Sequence, residues 1–137
     1  MKLIFVLSFI LITSLTYGQT NEKYSDYIDT TQTQLTVDKS DSSTSLFANM
    51  QSNHTFYGYA KPDTNSKRLI LFSIFTSQVE NDKDSCLYGA HYSDTSLGKK
   101  HLKYIKNFKD FGEFQFLDNT TIIDTIFFRK ENFKFDE

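Results

Sequence analysis

The 137-residue chain has no tryptophan, one proline and one cysteine. With Cys86 alone, no intramolecular disulfide can form, so the fold must rest on its apolar core. The histidines, at 54, 91 and 101, are scattered, and neither HExxH nor CxxC occurs, which argues against a zinc site. There is no GxSxG, no glycine-rich phosphate loop and no dinucleotide fingerprint. No internal repeat and no long low-complexity tract is present.

Only the N-terminus holds a long apolar run. Leu3 to Leu15 is interrupted by Ser8 and Thr13, follows Lys2 and precedes the small-residue stretch Thr16-Tyr17-Gly18. Those regions together predict a secretory signal peptide over 1–18, cleaved before Gln19, and an exported protein of the periplasm or extracellular space. A spanning helix needs about 20 apolar residues, more than this run supplies. Cleavage would leave about 119 of the 137 residues, enough for one domain with a modest core. That product carries 14 basic and 17 acidic residues, a net charge of −3. A mildly acidic chain is a poor partner for nucleic acid, which needs a basic face.

What the chain has in quantity is aromatics, 14 Phe and 8 Tyr, residues that bury large areas and favour strands. Residues 19–31 are polar and unpatterned and predict a flexible lead-in; 32–137 predict a single β-rich domain. QTQLTVD at 32–38 sets Leu35 and Val37 on one strand face, and SDSSTS at 40–45 reads as a loop. Leu46, Phe47 and Met50 could line one helical turn. His54 to Ala60 alternates, with Thr55, Tyr57 and Tyr59 opposite Phe56 and Gly58. KPDTNS at 61–66 is a turn, so a hairpin is expected there. Arg68 to about Val79 is apolar on both faces at first, the pattern of a strand covered on both sides.

ENDKDS at 80–85 reads as a turn, Cys86 to Tyr92 as a returning strand, and Ser93 to Gly98 as a loop. Lys99 to Phe108 fits a strand, with Leu102, Tyr104 and Phe108 on one face. It also fits a helix through Leu102, Ile105 and Phe108; the strand is the preferred reading. Phe114 and Phe116 point inward on the next strand. Ile122 to Arg129 is apolar on both faces, and Phe133 and Phe135 mark a short charged edge strand. No helix-length segments alternate with strands, which argues against a parallel α/β sheet. The expected fold is all-β: a small antiparallel sandwich or half-open barrel ending in a β meander. The alternative is α+β with one short helix at 40–50 or 97–108.

Several residues invite a chemical reading. Cys86 and His91, five apart on one strand, would point to opposite faces and could not form a dyad; a buried structural thiol is the plainer reading. Glu80, Asp82 and Asp84 alternate like the opening of a calcium loop. An EF-hand needs Gly and Glu where Ser85 and His91 stand, so only an irregular calcium site remains. Otherwise no cofactor is expected. Tyr57 and Tyr59 flank Gly58 and could form a platform for a sugar or peptide, or simply pack in the core. Five lysines at 99, 100, 103, 106 and 109 surround His101 and could meet an anionic glycan or headgroup. RLILFSIFTSQVENDKDSCLYGAHY, followed by LKYIK and IDTIFFRKENFKF, resembles small exported bacterial proteins of unknown function over about residues 57–136. The resemblance implies an exported single domain and carries no site.

Three functions follow as expectations. The first is a non-enzymatic binding or interaction domain, with an envelope protein or glycan as partner and Tyr57, Tyr59, His91 and His101 as candidate binding residues. The second is a small hydrolase whose site is assembled only in three dimensions, with His91 or His101 beside a carboxylate. The third is an accessory subunit of an envelope complex that completes its sheet with a partner strand.

Overall fold

The structure is a computed structural model that describes residues 33–48, 55–73 and 85–136. Those residues form nine β-strands in two sheets and no α-helix. In the first stretch lie β1 (Gln34–Asp38) and β2 (Thr44–Phe47). Then come β3 (Thr55–Tyr59), β4 (Arg68–Ser73) and the two-residue β5 (Ala90–His91). The last stretch holds β6 (Lys100–Phe108), β7 (Phe111–Asp118), β8 (Thr121–Arg129) and β9 (Phe133–Asp136). The larger sheet runs β5-β4-β3-β8-β7-β6 and the smaller β2-β1-β9. They pack face to face as a sandwich. One seam is tied where Ser43 bridges Lys103 and the Tyr104 N–H donates to the Ser42 carbonyl at 3.0 Å. The barrel that this seam begins does not close.

The core between the sheets is aromatic. Phe114 is fully buried at its centre, with Phe128 and Phe133 each 5.2 Å away and near perpendicular. Such edge-to-face pairs add about 0.5–1.5 kcal/mol each beyond their area. Leu35, Val37 and Phe133 from the small sheet meet Phe56, Ile70, Phe72, Leu102, Phe116 and Ile126 from the large one. Gly58 is required by this packing, because a Cβ there would collide with Ile70 and Ile126.

The β3–β4 hairpin forms as the turn chemistry of 61–66 predicts, with the Asp63 carboxylate accepting from the Asn65 N–H at 2.9 Å. Leu69 to Ser73 are all buried, as a strand covered on both sides requires. β6, β7 and β8 make the expected antiparallel meander. The 97–108 segment is therefore a strand and not a helix.

Five expectations are corrected. Thr44–Phe47 is a strand and not a helical turn, because its alternation lays Leu46 beside Leu35. Cys86 to Tyr92 is not a strand. Residues 85–88 turn, with the Gly89 N–H donating to the Cys86 carbonyl, and Gly89 takes φ 78°. The chain thereby re-enters as β5 parallel to β4, not as the return arm of a hairpin. Asp94–Leu97, read as loop, is a 3-10 turn. A bulge between Tyr104 and Lys106 moves Phe108 off the face of Leu102 and Tyr104, so it pairs with Phe111 on the outer side. Finally, β9 leaves the meander and pairs parallel with β1, and Ile122 and Ile123 of β8 are exposed.

Candidate functional site

A cleft of about 200 Å³ opens between the sheets at the seam end. Leu35 of β1, Phe72 of β4, Leu97 of the 3-10 turn and Leu102 of β6 give it apolar walls. Thr44, Asp94, Lys100 and His101 supply its polar groups.

Each polar group arrives by a distinct local device. Thr44 opens β2 opposite Val37, and its buried hydroxyl has no hydrogen-bond partner. An unsatisfied buried hydroxyl costs about 1–3 kcal/mol. Asp94 starts the 3-10 turn, which Ser96 closes by donating its hydroxyl to the Ser93 carbonyl at 2.6 Å. One Asp94 oxygen accepts the Leu46 N–H at 2.6 Å, tying this turn to β2 across 48 residues. Burial nevertheless pushes the Asp94 carboxyl above its ordinary value, against the lowering effect of that bond. Lys100 pairs in register with Asp118, two residues from Leu102, so it shares the cleft-facing side of β6. His101 registers with Leu117, on the other side, and is exposed at the rim.

The candidates named from the sequence fall apart in space. Tyr57 and Tyr59 stand on the outer face of β3 with rings 6.4 Å apart. They do not form an open platform, because Tyr59 is buried edge-on against Phe111 and the Arg68 guanidinium lies 4.1 Å over Tyr57. His91 is a clamp. Its Nδ1 lies 3.2 Å from the Ser96 carbonyl and its Nε2 2.8 Å from the Tyr88 carbonyl, so in either tautomer the ring donates to a carbonyl of the 85–98 segment. Cys86 is buried, with the Ser85 hydroxyl 3.9 Å from its sulfur. Glu80, Asp82 and Asp84 lie outside the described residues. Among the described residues, no three His, Cys, Asp or Glu side chains are grouped to hold a metal ion, and no helix is long and apolar enough to cross a membrane.

Sequence reasoning reached His101 and Lys100 but missed Thr44 and Asp94. Their neighbourhood exists only through the β1–β2 pairing and the Leu46–Asp94 bond, and no local spacing announces it. Comparison with protein-family models, with curated proteins and with solved structures returns no match.

Proposed function

We propose that the chain is an exported, non-enzymatic binding domain of the periplasm or extracellular space, and that its inter-sheet cleft takes a compact polyhydroxylated ligand such as one saccharide unit of a glycan. The observation that carries this reading is the pair of polar groups kept in the cleft at a cost to folding. These are the partnerless Thr44 hydroxyl and the desolvated Asp94 carboxyl. A sugar hydroxyl can donate to the Asp94 oxygen left free of Leu46, and another can pair with Thr44. Lys100 can donate to a third, while Leu97 meets the C–H surface of the sugar. The N-terminal pattern Lys2, Leu3 to Leu15 and Thr16-Tyr17-Gly18 supports export.

Calorimetric titration against a panel of monosaccharides and short oligosaccharides tests the reading. Saturable binding that Asp94→Asn weakens about tenfold is expected, one lost charged hydrogen bond being worth about 1.5–3 kcal/mol. Absence of heat and of any melting shift across the panel would sink it. The hydrolase reading is favoured only by the raised Asp94 carboxyl, since a general acid near neutrality needs such a shift. Glycoside hydrolysis uses two carboxylates, and among the described residues Asp94 is the single acid lining this cleft.

A further inference from the structure

The outer edge of β6 is strongly charge-segregated. Residues 99–109, KKHLKYIKNFK, hold five lysines and no acid. After loss of residues 1–18, the rest of the chain carries 9 basic against 17 acidic residues, or −8. Glu113 and Asp118 are the register partners of Lys106 and Lys100, yet none of the five lysines has an acid within ion-pair distance among the described residues. Among the described residues β6 is also an edge, the last strand of its sheet. Its outward hydrogen bonding to the described residues stops at Tyr104, where Ser42 and Ser43 meet it. Beyond that point the bulge leaves Ile105 without a register partner and 39% exposed, and Phe108 is 42% exposed.

We infer that residues 105–108 of β6 are a docking edge for an extended acidic segment of a partner protein, which adds to the large sheet as a further strand. The inference stands on the edge and its charge, independently of any ligand in the cleft. An exposed edge strand is a template for pairing, and lysines on it normally deter association. Here they deter one partner in particular. A second copy would set two lysine rows against each other, whereas a strand carrying Glu or Asp at alternate positions would neutralise Lys103 and Lys106, which share the outer face of β6 across the bulge. Backbone hydrogen bonds then supply affinity and the lysines supply selection.

The test uses the purified protein and a fluorescein-labelled peptide of alternating Glu and Val, about ten residues long, the length of a long strand. Three controls accompany it: the same peptide with Lys for Glu, the same peptide N-methylated at alternate residues, and dextran sulfate. The inference expects saturable binding of the Glu-Val peptide alone, with the amides of 105–108 gaining protection from hydrogen exchange. It expects the exposed triple variant Lys103→Gln, Lys106→Gln, Lys109→Gln to bind about tenfold more weakly or worse, with its circular-dichroism melt unchanged. Equal binding of the N-methylated peptide, or displacement by dextran sulfate without amide protection, would reduce the edge to a cationic surface and overturn the inference. So would a triple variant that binds like the wild type, or no binding at all.

Discussion

The two sheets reach the same core by opposite routes. The β6–β8 meander is contiguous, its strands joined by two-residue turns in which Lys109 and Asn119 take φ of 54° and 52°. The small sheet gathers 34–38, 44–47 and 133–136, and one of its two pairings is parallel. Hairpins close short loops at little entropic cost, whereas β9 must find β1 across most of the chain. The small sheet therefore depends on tertiary burial: Leu35, Val37 and Phe133 are what it offers the core. Long-range placement is also what creates the cleft, because Thr44 and Asp94 meet through β2 alone.

The largest expected effect separates these routes. Phe114→Ala removes the ring that touches both Phe128 and Phe133 and is expected to cost about 3–5 kcal/mol in urea unfolding. Leu35→Ala, in the small sheet, is expected to cost about 2–4 kcal/mol. Its loss should appear first as faster amide exchange in β1, β2 and β9 while β7 stays protected. Equal loss of protection in both sheets would show that they unfold as one unit.

A smaller effect comes from the tie between the 85–88 turn and β8. The Tyr88 hydroxyl donates to Asp124 Oδ2 at 2.5 Å, and burial, then that bond, push the phenol up to about 12. Tyr88→Phe is expected to cost about 1 kcal/mol, allowing for partial exposure. Because the folded phenol titrates above its ordinary value of 10.0, the bond stabilises fully below that pH. The gap between the two proteins in denaturant midpoint should close as pH rises through about 12.

The smallest effect concerns stability at the cleft. Burial raises the Asp94 carboxyl, so its contribution is fully present below the ordinary value of 3.8 and is lost as pH rises past the folded value. Asp94→Asn keeps an oxygen for the Leu46 N–H and sheds the charge. Its melting temperature at pH 7 is expected to match or exceed that of the wild type, with the gap vanishing below pH 3.8. A clear destabilisation at pH 7 would make Asp94 a structural residue and remove the main support for the cleft as a binding site.

The same contrast explains what the sequence made legible. Alternation revealed Phe114 and Phe116 in β7 and the covered run Leu69 to Phe72, because period-two burial is local. It misread Cys86 to Tyr92, whose alternation was overridden by the left-handed Gly89 and by His91 set between the Tyr88 and Ser96 carbonyls. The bulge at Tyr104 was equally hidden, since it depends on what β7 presents opposite. Tyr57 and Tyr59 were correctly placed on one face, but Arg68 and Phe111 decide what that face can do. The cleft was illegible for the strongest reason: its two decisive groups are 50 residues apart in the chain.

The parallel pairing of β1 with β9 also sets a clock. Residues 34–38 are synthesised about a hundred residues before 133–136, which must lie alongside them. Until Phe133 emerges, the Phe114 ring lacks one of its three edge-to-face partners and the small sheet lacks one of its three strands. A nascent chain can fold its meander hairpins as they appear, but it cannot seal its core. β9 thus acts as a latch, leaving the sandwich open until residues 133–136 have been made.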